Sequence, residues 1–180
     1  MPLKCYLTSV CRALLHNSID EPWTTIEPLR VGLVPEGQGT PRGLVTVERD
    51  GLPYMRIDAY AEHDGPFSEV VVWDIFIVLG WSDVVHVIDP VSRRVKSIRC
   101  GGYFGHLYPY DGHLLIASAS ELLCLNRGAE EVWRRQNLGI DGVVVDRVTE
   151  GVIFGQGEWD PPGGWRPFQL ELETGEPVAR

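Results

Sequence analysis

A shift of 37 residues lays Glu69–Arg99 on His106–Gln136 without a gap, and this internal repeat constrains the fold more than any other feature of the chain. Trp73-Asp74 falls on Tyr110-Asp111, Ile77-Val78-Leu79 on Leu114-Leu115-Ile116, and Gly80 on Ala117. Val85, Val87 and Ile88 fall on Leu122, Cys124 and Leu125, Asp89 on Asn126, and Val95 on Val132. Few positions are identical. What repeats is the order of apolar runs and polar breaks. A third copy runs from Val143 to Val178, with Val152-Ile153-Phe154-Gly155 matching the run at Leu114 and with Phe168, Leu170 and Leu172 alternating as in a half-buried strand. Its extra length is concentrated in Gly155–Arg166, where Trp159-Asp160-Pro161-Pro162-Gly163-Gly164-Trp165 reads as an enlarged hairpin loop.

Each copy has one grammar: a strand ending near an acidic turn residue, a continuous apolar strand, a short polar loop, a third strand and a tight turn. In the first two copies a charged outer strand follows, Val95–Arg99 and Val132–Gln136. A continuous apolar run is expected where a strand is buried on both faces. Sheets dry at the inner strands and wet at the outer one are what radially packed blades require. Tyr110-Asp111-Gly112, Leu114–Ala117, Leu122–Asn126 and Leu170–Gly175 together resemble the blades of quinoprotein-type and WD-type β-propellers. The resemblance covers Glu69–Val178. Trp73-Asp74 stands earlier in its repeat than the Trp-Asp pair of WD blades, and the period is shorter than their roughly 40–45 residues.

The preceding part, Met1–Pro66, does not fit the repeat. Leu44–Glu48 and Tyr54–Tyr60 read as strands joined across Arg49-Asp50-Gly51, where Asp-Gly signals a hairpin. Arg30–Val34 reads as a further strand, Pro35–Gly43 as a loop, and Cys11–Asn17 as a short helical turn. The expected architecture is all-β: one domain over 1–180, an irregular β segment over 1–66, and β-meander repeats at 69–99, 106–136 and 143–178. The segment 1–66 could supply a fourth, irregular blade. A β-sandwich or an open stack of sheets is the alternative, and an open stack leaves edges or faces that invite self-association.

The formal net charge of −9 argues against a nucleic-acid or anionic-membrane surface and permits a basic partner. No apolar run is long enough for a signal-peptide core or a bilayer span, so cytoplasmic location is the default. Cys5, Cys11, Cys100 and Cys124 include no close CxxC pair and are expected as reduced thiols, with Cys124 in the core. The histidines His16, His63, His86, His106 and His113 lack the HxH or HxxxH spacing of a metal site. His86 reads as a core or hydrogen-bonded strand residue, and His63-Asp64 as a solvated turn. No GxSxG or framed cysteine nucleophile occurs, and Gly37–Gly43 reads as a plain loop, not a phosphate cradle. No cofactor or metal is expected.

In a blade of this grammar, the loops between second and third strands project on the same face as the links between blades. Trp81 and Asp83 occupy one such loop, Tyr103, Phe104 and His106 a link, and Trp159, Asp160 and Trp165 the enlarged loop. Exposed Trp and Tyr beside carboxylates suit a protein partner, because they bury large area at low entropic cost. The alternative is that these aromatics fold back to cap the core. The leading expectation is a non-catalytic protein-binding module, in its most concrete form a small acidic immunity or antitoxin-type protein that neutralises a basic partner. An enzyme using loop carboxylates on a carbohydrate or other small substrate is the runner-up. A structural subunit completing a propeller by self-association is the third reading.

Overall fold

The computed structural model describes residues 11–37 and 39–178, so Cys5 and the leading residues lie outside the described part. The described residues form fifteen strands in four sheets. Sheet A holds β1 (Cys11–His16), β2 (Leu29–Gly32), β3 (Gly43–Arg49) and β4 (Leu52–Tyr60) in the order β1-β3-β4-β2. Sheet B runs β5 (Ser68–Trp73), β6 (Phe76–Trp81), β7 (Val84–Ile88) and β8 (Val95–Arg99). Sheet C runs β9 (Phe104–Tyr110), β10 (His113–Ser118), β11 (Leu122–Leu125) and β12 (Glu131–Arg135). Sheet D has three strands, β13 (Val143–Thr149), β14 (Val152–Glu158) and β15 (Trp165–Glu171), with an isolated bridge from Leu170 to Pro177 at the place of an outer strand. These are propeller-like blades, and the 37-residue shift superimposes B on C strand for strand.

Backbone conformation explains the turns. Asp50-Gly51, Asp111-Gly112 and Glu150-Gly151 have positive φ at both positions, 53° and 77°, 35° and 82°, and 52° and 75°. That is the type I′ requirement, whose twist matches the flanking strands. In the outer turns, Asp89 Oδ1 accepts the N–H groups of Val91 and Ser92, and Asn126 Oδ1 those of Gly128 and Glu130. A side-chain acceptor standing in for a backbone carbonyl is the means by which Asp and Asn set such turns.

Three apolar cores join the blades in sequence. Val45, Val47, Met55 and Ile57 of A meet Ile77, Leu79 and Ile88 of B. Val78, Val85 and Val87 of B meet Phe104, Leu114 and Leu123 of C. Leu115, Ala117, Leu122 and Cys124 of C meet Val143, Ile153 and Leu170 of D. Among the described residues, none of these cores joins D back to A. An aromatic ring repeatedly lies over a strand glycine: Phe104 of C over Gly80 of B, within sheet D Phe168 over its cross-strand partner Gly155, and Trp81 of B over Gly43 of A. A Cβ at these glycines would stand 2.3, 2.4 and 2.6 Å from a neighbouring atom, so the ring occupies the volume that a side chain would take.

Two expectations are corrected. Cys11–His16 is not a helical turn but the first strand of sheet A, paired antiparallel to β3 over its whole length. The β2 strand covers Leu29–Gly32 and pairs parallel to β4, which makes A a blade of different topology from the others. Among the described residues no helix is long and apolar enough to cross a membrane.

Candidate functional site

Because the hairpins between first and second strands lie at one end, the turns between second and third strands and the links between sheets meet at the other. Hydrogen bonds join them into a continuous strip. The Phe104 N–H donates to Ser82 O at 2.6 Å and Cys100 N–H to Asp83 O at 2.8 Å. Ala119 N–H donates to Tyr103 O at 2.9 Å, Gly142 N–H to Ala119 O at 2.8 Å, and Glu158 N–H to Gly142 O at 2.9 Å. Side chains add to it: the Tyr103 hydroxyl donates to the Asp141 carbonyl and lies 3.2 Å from its carboxylate. Burial, then the Asp141 and Glu158 charges, push the Tyr103 phenol above its ordinary range.

The expected site residues fall into two groups on this end. Trp81, Asp83, Tyr103 and His106 lie where A, B and C meet. Asp83 pairs with Arg99 at 3.0 Å, and His106 stands 3.8 Å from Glu69 and 5.1 Å, ring to ring, from Phe67. Trp159, Asp160 and Trp165 lie at the tip of sheet D. Arg166 stands over the Trp159 ring at 5.4 Å, the Asp160 carbonyl accepts from Gly164 N–H at 3.0 Å, and the Trp165 ring, 40% exposed, lies against Gly142. Phe104 is the correction: it is fully buried over Gly80 and offers nothing to a partner. The cause is a register shift between Ala117 and Ser118 opposite β9, which breaks strand alternation between Phe104 and His106.

Between A and B the loop end opens into a cavity of about 750 Å³. It lies where β2 stops at Gly32, whose φ of 86° turns the chain hard against the Tyr60 carbonyl. Tyr60, Trp81 and Tyr103 supply aromatic lining, and Glu62, Asp64, Asp83 and Arg99 supply charge. The cavity also reaches His86 and Ser97, which face each other across β7 and β8. His86 is only 4% exposed and its Nδ1 lies 2.9 Å from Ser97 Oγ. Burial pushes the imidazole down from 6.5 to about 4, so it is neutral at physiological pH. A second cleft, about 770 Å³, runs between β12 and β15, and no histidine or carboxylate is among its lining residues.

Sequence reasoning did not find Glu121, whose carboxylate is 1% exposed at the turn between β10 and β11. Its Oε1 accepts from Gly101 N–H and from Arg134 Nη1, both at 2.6 Å. Arg134 is also held by Glu131 and by the Arg99 carbonyl, so Glu121 is the anchor of a structural network. Ser118 and Ser120 act in the same turn, each donating to the Gly101 carbonyl. The carboxylates Asp64, Asp83 and Glu121 each face an arginine rather than another carboxylate. Asp141 and Glu158 both act on the Tyr103 phenol, and the Asp141 N–H lies 3.4 Å from the Glu158 carbonyl. Among the described residues, no cluster of three metal-ligating side chains occurs.

No protein-family model matches the sequence, and a search of the curated proteins finds no relative. Solved structures do resemble the fold. The crystal structure of the computationally designed Ika4 protein, a designed propeller, aligns with a TM-score of 0.50 at 10% identity, covering 67% of this chain and 75% of that one. At that identity the likeness concerns fold alone. It places the chain among propeller-like proteins of bladed sheets.

Proposed function

We propose that this protein is a non-catalytic binding module that engages a protein partner through the loop end of its blades. The observation behind this reading is the strip itself. Trp81, Tyr103, Trp159 and Trp165 stand beside Asp83, Asp141, Glu158 and Asp160 on loops tied to one another and to a packed scaffold. Aromatics on pre-ordered loops lose little entropy on binding. The net charge of −9 favours a basic partner, and neutralisation of such a partner by an immunity-type protein is the concrete form. Against the enzyme reading stands the pairing of Asp64, Asp83 and Glu121 with arginines, which leaves none of them in a shared carboxylate site.

The test is capture with the intact protein, a Trp159→Ala/Trp165→Ala/Tyr103→Phe variant, and a variant altered at the opposite hairpin end, such as Asp74→Asn. The captured protein is then identified and its affinity for each form measured. Loss of at least about tenfold in the loop-end variant alone supports the reading, since central aromatic anchors carry ≥ ~1.4 kcal/mol between them. Equal affinity for all three forms overturns it.

Self-association is a second reading, favoured by one observation: the three apolar cores leave the far faces of sheets A and D without such a core among the described residues. Leu14 of A is 36% exposed there, and Phe154 of D is covered by the Arg147 guanidinium 4.1 Å from its ring. Light scattering across a hundredfold range of concentration tests it, and a strict monomer overturns it.

A further inference from the structure

We propose that the cavity between sheets A and B receives a neutral carboxamide, the side chain of a glutamine or asparagine projecting from the partner. This rests on the binding-module reading and names the chemistry of its contact.

The argument starts from a donor. Trp81 lines the cavity, and among the described residues its indole Nε1–H is buried without a hydrogen-bond partner. A buried N–H left unpaired costs the fold stability, and a ligand oxygen that accepts from it removes that cost. Nε1 has no exposed surface of its own, so the oxygen meets it as the indole turns toward the opening, a side-chain adjustment of the kind common where partners dock.

The charges of the lining select a neutral group. Asp64 pairs with Arg42 at 3.4 Å and Asp83 with Arg99 at 3.0 Å, so neither is a free counter-ion for a cation. A lysine or arginine head also carries no acceptor for Trp81. An anion does carry one, but Arg99 in the lining is already paired, and the exposed Glu62 carboxylate repels it. A purely apolar side chain would leave Nε1 unpaired.

A carboxamide answers both halves of the site. Its carbonyl accepts from Trp81, and its NH₂ donates to Asp64 or Asp83, since a carboxylate held by one arginine keeps further acceptor sites. Tyr60, Trp81 and Tyr103 offer apolar surface to the methylene stem. The cavity reaches the buried pair of His86 Nδ1 and Ser97 Oγ, 2.9 Å apart, and burial pushes the imidazole down to about 4, so this polar pair is uncharged. A projecting side chain reaches that depth, whereas the main chain of a loop stays at the mouth.

The probe is acetyl-Gly-Gln-Gly amide, beside peptides with glutamate, lysine or leucine in place of the glutamine. The readout is the indole N–H resonances of the folded protein. The Trp81 N–H is expected to move downfield, saturably, with the glutamine peptide, and the other three peptides to bind about tenfold more weakly. Replacement of Trp81 alone by benzothienylalanine keeps the indole's shape with sulfur in place of the N–H. Read at the His86 ring, it should weaken the glutamine peptide about tenfold while leaving the urea midpoint unchanged or raised, because no bond within the protein is lost. The Trp159→Ala/Trp165→Ala variant should bind the peptide as the parent does. No saturable shift at Trp81, equal binding of any of the other peptides, or indifference to the benzothienyl ring each overturns the inference. A lowered urea midpoint overturns it too, since it shows that Nε1 already has a partner. Shifts confined to Trp159 and Trp165 overturn it while leaving the binding module standing, whereas equal partner affinity in the loop-end variant overturns the module whatever happens in the cavity.

Discussion

His86 makes the stability of this fold depend on pH in a window where few other groups act. The imidazole is buried between β7 and sheet A, and burial lowers it from 6.5 to about 4. A group whose folded value is lowered binds fewer protons in the native state than in the unfolded chain. The unfolded chain is therefore stabilised relative to the native state as pH falls, beginning near 6.5 and ending near 4. Stability is complete above the upper limit and lost toward the lower one. A shift of that size corresponds to about 3 kcal/mol in full, of which about 2 kcal/mol is lost by pH ~5.

The assay is urea unfolding at a series of pH values for the protein and for His86→Asn, whose amide reaches toward Ser97 without titrating. The variant is expected to be the less stable form near neutrality, because it packs less well. Its stability should then stay nearly level from about pH 6.5 to about pH 5, while the parent falls by about 2 kcal/mol. Asp89, held down chiefly by its Ser92 hydrogen bond, and Glu131, held down chiefly by Arg134, lie below ordinary carboxylates. Their contributions are present above the ordinary carboxylate values and are lost only as the pH falls through their lowered folded values, so they leave the upper window to histidine. Parallel curves for the two proteins between about pH 6.5 and about pH 5 would refute the reasoning.

Three other perturbations read the scaffold. Glu121→Gln removes the buried charge that accepts from Gly101 N–H and Arg134, which Glu131 still holds, and should cost about 2 kcal/mol by urea unfolding, whereas Glu131→Gln, at the exposed end of the same guanidinium, should cost under about 1 kcal/mol. Gly80→Ala puts a Cβ 2.3 Å from the Phe104 ring and should cost about 1–3 kcal/mol, with part of the loss recovered in the Gly80→Ala/Phe104→Leu double variant, and additive losses would show that the two positions do not share a volume. Burial pushes the thiols of Cys100 and Cys124 up to about 12, so mass-spectrometric mapping of alkylation near pH 8 should find both unreacted in the folded protein and modified once it unfolds.

What could be read in advance follows from where the information resides. Sheets B and C were legible because their strands are fixed by local pattern: a continuous apolar run, a two-residue hairpin, and an acceptor side chain at Asp89 or Asn126. Cys11–His16 was not legible. CRALLH contains good helix formers, and pairing with β3, decided by residues about thirty positions away, overrides that preference. Phe104 was misplaced for a related reason, since the register shift opposite it is a property of the β9–β10 pair and of neither strand alone. The matching of Gly80 with Ala117 and Gly155 marked the second-strand position, but not that both glycines there receive an aromatic ring. The loop-end grouping of Trp81, Tyr103 and Trp165 followed from topology. The cleft beneath it did not, because it depends on the end point of a parallel strand.

That dependence bears on how function is distributed over the fold. At the hairpin end, Asp50, Asp111 and Glu150 are held at positive φ, so residue choice there serves the backbone. At the other end the turns are closed mainly by main-chain bonds between sheets, and the side chains of Trp81, Asp83, Trp159 and Trp165 are released from that duty. A repeated blade by itself yields a row of similar turns at that end. Two departures from repetition break the row: the long Trp159–Trp165 turn of sheet D, and the parallel strand of sheet A that ends beside the cavity. The long turn raises a protrusion and the short strand leaves a cavity, and Tyr103, bonded to Asp141 on one side and lining the cavity on the other, spans the distance between them.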